Sequence, residues 1–375
     1  MTNPKKKINI GLLTSSRADY GIYKPLLKEI YKNKKIDLTI IAFGMHLQKK
    51  YGNSIKDIKE DKFGKLDIVK GMSDKDSPYE IATSYGSLIK NFSEYWKNNK
   101  YDYVIALGDR FEMSAAVQAS IPFEIKLIHL HGGETTQGSV DNIYRHQITL
   151  ASKIHFVATN NYLKKVQKIT GTKEGIHNVG ALSLDGINNI KLPNWSYVCK
   201  KFNIPNKKYI LVTFHPETVQ LDKNDLYSQI IFDTLKEISK NINIIITLPN
   251  ADASGDLYRN LMIKLSKIYP DKISIIENFG RENYFAAISN SLMLIGNTSS
   301  GILEAASFRK YVINVGKRQK GRMKNDNVFD VPFAKKKIIE KYNSIKKLKE
   351  YDGENIFSQK NTAKKIIKVI TNKNV

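Results

Sequence analysis

Ser291-Leu292-Met293-Leu294-Ile295-Gly296-Asn297-Thr298-Ser299-Ser300-Gly301-Ile302-Leu303-Glu304 is the stretch from which the rest of the chain is read. An apolar run, Ser291 to Ile295, stops at a glycine, and an Ala-rich helical pattern, Leu303 to Phe308, follows the second glycine. The segment predicts a strand, a turn of small hydroxyl residues and a helix. Backbone N–H groups and the hydroxyls of Thr298, Ser299 and Ser300 then face whatever sits above the helix N-terminus, where the macrodipole favours phosphate. Glu304, expected on the first helical turn, is placed to accept from a ribose hydroxyl. A nucleotide diphosphate fits this segment, and so does an ordinary helix with a Ser or Thr N-cap.

The same strand-helix alternation runs outward in both directions. Upstream, Ile8 to Leu13, Leu38 to Phe43, Tyr103 to Leu107, Leu127 to Leu130 and His155 to Ala158 read as short buried strands. Helical patterns at Ile22 to Tyr31, Ser114 to Ala119 and Tyr144 to Ser152 lie between them. Around Lys191 to Lys208 the periodicity fades and Pro193, Trp195, Pro205 and Asn206 appear, which marks a connection. A second alternation follows, with strands at Tyr209 to Phe214, Ile242 to Leu248, Ile273 to Glu277 and Leu292 to Gly296, and helices near 226–240, 257–268 and 284–289. The expected fold class is α/β, two Rossmann-like doubly wound domains facing a cleft. The expected division is 1–182 for the first domain, 183–208 for the connection and 209–355 for the second domain. A helix within 356–375 either ends the second domain or packs back on the first.

Composition narrows the classes. With 375 residues, 41% apolar, the chain is a packed globular protein of about two domains. Cys199 is the only cysteine, so no intrachain disulfide and no thiolate cluster for zinc or iron–sulfur is possible. After Lys5, Lys6 and Lys7 the apolar run breaks at Asn9 and Thr14 and reads as a strand instead of a signal peptide. No segment approaches the roughly 20 apolar residues of a membrane span, so a cytoplasmic location and no membrane partner are expected. The net charge is +24, yet its lysines are scattered along solvated faces and no aromatic-basic platform accompanies them, which argues against a nucleic-acid partner. An anionic small substrate still gains from the field.

Just past the ends of the proposed strands the chain turns unusually polar. Thr14 to Gly21 brings Arg17 and Asp19; Gly108 to Glu112 brings Asp109 and Arg110; His129 to Glu134 brings His131 and Glu134, with Asp141, Arg145 and His146 shortly after. In the second domain come His215-Pro216-Glu217 and Pro249-Asn250-Ala251-Asp252. Local readings compete: Asp109 and Arg110 as an ion pair or cap, Asp19 as a helix N-cap. His155 and His177, in apolar or loop contexts, read as structural. His129, His131 and Glu134 make a weak metal pattern, since i, i+2 positions at a strand end are common.

Taken in order, Arg17-Ala18-Asp19-Tyr20-Gly21, Gly108-Asp109-Arg110, Gly132-Gly133-Glu134, Arg145-His146, His215-Pro216, Gly296 to Gly301 and Gly316-Lys317-Arg318-Gln319 resemble the hydrolysing UDP-N-acetylglucosamine 2-epimerases of bacterial sialic acid pathways. These are related to non-hydrolysing epimerases and to two-domain GT-B-type glycosyltransferases. The resemblance implies loss of the C2 proton while the nucleoside diphosphate leaves C1, then addition of water to the 2-acetamidoglucal to release N-acetylmannosamine. It implies no cofactor and no metal, in keeping with the absence of a full Gly-x-Gly-x-x-Gly after the first strand. It further implies a UDP-sugar as ligand and a homo-oligomer, dimer or tetramer.

By the same resemblance Asp109 and Asp141 match catalytic acids. Arg17, His215 and Arg318 match diphosphate contacts, and Thr298, Ser299 and Glu304 belong to the UDP loop. Asp19, Arg110, His146, Asn250, Asp252, Asn297 and Ser300 complete the implied substrate and nucleotide set. Ahead of the Gly-Gly-Glu, where much of the family has Glu, this chain has His131. A histidine serves as a base near neutral pH without a large shift, while in the alternative Glu134 is the base and His131 orients the sugar. Two other substrates or classes stay open: a 2,4-diacetamido-2,4,6-trideoxy sugar nucleotide of the legionaminic acid route, and a GT-B-type glycosyltransferase that needs an acceptor.

Overall fold

The apolar runs pair as parallel strands, each near-continuously buried because helices cover both faces of the sheet. The structure, a computed structural model, describes residues 7–52, 54–249 and 252–372; Lys5 and Lys6 lie outside them. The chain divides into two units, one of Met1–Glu134, Asp141–Gly186 and Phe357–Val375, the other of Thr135–Val140 and Ile187–Ile356.

In the first unit the order is β1 (Ile8–Thr14), α1 (Arg17–Lys32), β2 (Ile36–Ala42), α2 (Ile55–Asp61), β3 (Lys65–Ile68), α3 (Pro78–Asn98) and β4 (Tyr103–Leu107). It continues with α4 (Phe111–Ser120), β5 (Leu127–Leu130), α5 (Asp141–Ala151), β6 (Ile154–Val157), α6 (Asn160–Thr170) and β7 (Ile176–Asn178). The seven strands form one parallel sheet ordered β3-β2-β1-β4-β5-β6-β7. Connections wind outward in opposite directions from β1 and β4, so the loops after those two strands diverge and leave a crevice at their carboxyl ends.

In the second unit α7 (Trp195–Phe202) leads to β8 (Tyr209–Thr213), α8 (Asn224–Ser239), β9 (Asn243–Thr247), α9 (Gly255–Ile268), β10 (Ile273–Ile276), α10 (Arg281–Asn290) and β11 (Leu294–Gly296). Then come α11 (Ser299–Leu303), β12 (Val312–Val315), β13 (Val328–Val331) and α12 (Lys335–Ile345). Its sheet is parallel, ordered β10-β9-β8-β11-β12-β13, and reverses direction between β8 and β11. The aperiodic stretch read as a connection holds the helix α7, whose N-cap Asn194 accepts from the Ser196 amide. Lys335, Lys336 and Lys337, read as a solvated charge run, form the first turn of α12, which buries Ile338, Tyr342 and Ile345.

The last helix, α13 (Thr362–Thr371), belongs to the first unit. Ala363, Ile366, Ile367 and Ile370 recur at helical spacing and join a core that includes Tyr23, Leu26 and Leu27 of α1. Asp185 holds the start of α13, its two carboxylate oxygens accepting from the Thr362 amide at 3.1 Å and the Ala363 amide at 2.8 Å. Ile366→Ala removes a fully buried side chain and is expected to lower stability by about 2–5 kcal/mol. Lys364→Ala, on the exposed side of α13, is expected to change it by less than about 0.5 kcal/mol. Urea denaturation of the two variants checks the pair, and equal effects would contradict the packing of α13 on this core.

Candidate active site

β4 and β5 lie side by side, and the loops that leave their carboxyl ends carry Asp109 and Glu134. Asp109 accepts from Nη2 of Arg145, and Nη1 of the same guanidinium donates to the Glu134 carbonyl at 2.9 Å. Arg145 is 2% exposed, so its charge is tolerable only with a carboxylate and a carbonyl on it. That one side chain therefore ties the loop after β4 to the loop after β5. It stands four residues beyond Asp141 on α5, a spacing that puts both on one helix face.

His131 follows β5 directly and adopts φ +65, a left-handed conformation that costs a non-glycine residue roughly 1–2 kcal/mol. Its amide donates to the Phe156 carbonyl of β6 at 3.0 Å, and its Nδ1 lies 2.8 Å from Oε1 of Glu134, which is fully buried. With Nδ1–H donated to that carboxylate, Nε2 carries the imidazole lone pair. Behind them, His129 is spent on structure: Nε2 is 2.9 Å from the Gly108 carbonyl and Nδ1 is 3.1 Å from the Thr149 hydroxyl. Burial pushes its pKa down to about 3.

The other residues singled out in this unit separate into two groups. Arg110 Nε donates to Oε1 of Glu112 at 2.6 Å, and burial raises the Glu112 pKa against the pull of Arg110. His146 sits beside Arg145 on α5, its pKa lowered by burial and then by the Lys165 and Arg145 charges. Arg17 opens α1 and is half-buried. Asp19, by contrast, is spent inside its own turn. It is the third residue of α1, not the N-cap, which is Ser16. Its carboxylate accepts from the amides of Ser15 and Ser16 at 2.8 Å each and from the hydroxyls of Thr14, Ser15 and Ser16.

In the second unit the pieces meet at the direction reversal between β8 and β11. The His215 amide donates to Asn297 Oδ1 at 2.7 Å, and Asn297 Nδ2 donates back to the His215 carbonyl at 2.8 Å. The Asn297 carbonyl accepts from Gln319 Nε2 at 2.8 Å and from Arg318 Nη1 at 3.4 Å. Asp252 stands between the His215 imidazole and the Arg318 guanidinium, its Oδ2 3.4 Å from His215 Nδ1 and 3.7 Å from Arg318 Nη2. Asn250 and Ala251 lie outside the described residues.

One expectation for the quoted stretch is corrected. Thr298 is the N-cap, accepting from the Ser300 amide at 3.4 Å, so α11 starts at Ser299 and ends at Leu303. Glu304 is its C-cap and not a first-turn residue, because the hydroxyl run itself is the first turn. Residues 305–308 form a separate 3₁₀ turn.

Two positioning side chains lay in quoted motifs without being named as part of the site. Arg145 was signalled by its i+4 relation to Asp141. Glu217, two residues past His215, receives the amides of Lys317 and Arg318 on Oε1. Their partners, 36 and 101 residues away, carry no sequence signal.

Residues 28–371 match the family described as UDP-N-acetylglucosamine 2-epimerase. A hydrolysing UDP-N,N'-diacetylbacillosamine 2-epimerase of Legionella pneumophila is 36% identical over 320 residues, 85% of this chain and 84% of that one. Polysialic acid biosynthesis protein P7 of Escherichia coli is 34% identical over 328 residues, 87% of this chain and 83% of that one. The UDP-N-acetylglucosamine 2-epimerase of Methanocaldococcus jannaschii, solved with UDP-N-acetylglucosamine and UDP, superposes with a TM-score of 0.80 at 17% identity over 97% of this chain and 99% of that one. That likeness is one of fold.

Burial of His129 and His155 also couples the stability of the first unit to pH. An unfolded histidine takes a proton near pH 6.5, whereas burial holds these two down to about 3 and about 4. Between pH 6 and 4 the unfolded chain binds more protons, so stability is expected to fall as pH drops, by about 1.4 kcal/mol per pH unit for each group. Urea titrations across pH 4–7 check this. His129→Asn is expected to flatten the slope by one histidine's share, and an unchanged slope would contradict a neutral buried His129.

Proposed function

We propose that this chain, which belongs to the UDP-N-acetylglucosamine 2-epimerase family and is a hydrolysing 2-epimerase of nucleoside-diphosphate sugars, acts on UDP-N,N'-diacetylbacillosamine. The products are UDP and the free 2,4-diacetamido-2,4,6-trideoxy sugar inverted at C2. The reading is carried by one observation: an imidazole and two carboxylates from neighbouring strand ends, His131, Glu134 and Asp109, are linked through the buried Arg145. The Legionella relative's substrate supports the choice of sugar.

In this reading His131 Nε2 takes the C2 proton, and Glu134 holds the tautomer and stabilises the imidazolium that forms. The electron pair of the C2–H bond becomes the C1=C2 bond as the C1–O bond breaks and UDP departs with both electrons of that bond. Arg318, His215 and Arg17 stabilise the charge growing on the diphosphate. Asp252 would orient His215 and Arg318 toward it, and Thr298, Ser299, Ser300 and Glu304 would hold the UDP, the hydroxyls toward phosphate and Glu304 toward the ribose. Water, guided by Asp141, then adds its hydroxyl to C1, and the proton it gives up passes through the Asp109 carboxylate to C2 on the opposite face, while His131 releases the first proton to solvent. The balance is one sugar nucleotide and one water giving UDP and one free sugar, with no redox step.

A second reading, UDP-N-acetylglucosamine giving N-acetylmannosamine for sialic-type acids, is favoured by the family's description and by the polysialic acid relative. Product analysis with each donor, without acceptor, separates them: the diacetamido donor is expected to be turned over at least about tenfold faster. Faster turnover of UDP-N-acetylglucosamine selects the second reading, and consumption that requires an added acceptor would point to a glycosyltransferase. Asp109→Asn is expected to lower kcat by on the order of 10²–10⁴-fold with UDP affinity within about twofold of wild type. Ser299→Ala and Glu304→Ala are expected to weaken UDP binding instead, measured by calorimetry. A mild kcat effect of the first, or unchanged UDP affinity in the others, would contradict the roles given.

A further inference from the structure

We infer that Glu217 is a positioning residue for the diphosphate half of the site, its carboxylate fixing the turn that carries Arg318. The inference rests on the reading that Arg318 contacts the diphosphate.

Glu217 is 2% exposed and lies two residues past His215. Its backbone is clamped at the start of α8, the amide donating to Asn224 Oδ1 and the carbonyl accepting from Asn224 Nδ2, each at 3.1 Å. The side chain cannot drift far from so fixed a backbone. Its Oε1 receives two successive amides, Lys317 and, at 3.1 Å, Arg318. Consecutive N–H groups converging on one oxygen make a concave anion site, and here the anion is a carboxylate of the same unit.

The turn is gripped on its other sides as well. Gly316, at φ +84, leaves no room for a Cβ, which would overlap Glu217 Oε1 and the Phe333 ring. Gly138 lies directly against the Lys317 carbonyl, where a Cβ would overlap it. From this held turn the Arg318 guanidinium reaches the Asn297 carbonyl and Asp252, and Gln319 reaches the same carbonyl. Since Asn297 exchanges two hydrogen bonds with the His215 backbone, a closed circuit runs from His215 through Asn297 and Arg318 to Glu217 and back along two residues of chain to His215. Remove the carboxylate and two amides lose their acceptor. The turn then has to re-form around some other partner, and Arg318 moves with it.

Calorimetry of the full chain with UDP and with UMP tests this. Wild type is expected to prefer UDP. Glu217→Ala is expected to weaken UDP binding about tenfold while UMP changes by less than about twofold, so the preference collapses. Glu217→Gln keeps an acceptor oxygen in the same place and is expected to restore most of the preference. A Glu217→Ala protein that keeps the wild-type ratio, or that loses UDP and UMP equally, would overturn the inference. If Glu217→Ala does not fold, Glu217→Asp draws the carboxylate back from the two amides and is expected to lower the same ratio; an unchanged ratio there overturns it equally. A wild type with no preference for UDP is a different result, one that removes the diphosphate reading and this inference with it.

Discussion

Parallel strand pairing is the constraint on which everything else here depends. When every strand of a sheet runs the same way, each one ends on the same edge, and each connection must cross back over a face before the next begins. Loops at the carboxyl edge are then free to be polar, while the strands between remain apolar on both faces. The sheet of the first unit reverses its winding between β1 and β4, that of the second between β8 and β11. The residues of the proposed site stand at those places: Asp109 after β4, His131 and Glu134 after its neighbour β5, His215 after β8, Asn297 after β11.

What the edge supplies as position, buried polar pairing turns into geometry. Arg145 cannot sit 2% exposed as a bare charge, so it draws in Asp109 and the Glu134 carbonyl and thereby sets one loop against another. Glu134 in turn fixes one nitrogen of His131. In the second unit Asp252 lies near His215 and Arg318, and Asn297 binds both their segments. Groups held this way before substrate arrives need little reorganisation as charge develops, which is where electrostatic catalysis gains most.

Much of this was legible in the sequence, for a physical reason. Strands buried on both faces, such as Tyr103–Leu107 and Tyr209–Thr213, are unbroken apolar runs, and the polar residues just after them stand out. Of the edge strands, Ile273–Ile276 is apolar throughout but for Ser274 and was legible, whereas Lys65-Leu66-Asp67-Ile68 is half solvated and short and has no such run. The helix α3 was not read from the sequence, although Ser77 caps it, Pro78 opens it and its buried stripe, Ser84, Leu88, Phe92 and Trp96, recurs every four residues. In the site, the acids, histidines and arginines were visible and their partners were not. Nothing local tells that Asp109 meets Arg145 and not Arg110, or that Glu217 holds a turn on the far side of the sheet order. Glu304 was misplaced because a Ser/Thr run reads equally as a loop before a helix and as the capped first turn of one.

In the proposed reaction the C–H bond at sugar carbon 2 breaks and is remade while UDP leaves and water enters. Proton NMR of the purified protein with UDP-N,N'-diacetylbacillosamine in deuterated water, without acceptor or added metal, addresses it directly. The expected products are UDP and a free sugar inverted at C2 and carrying deuterium there. A released sugar that keeps its C2 protium or its original configuration would contradict it.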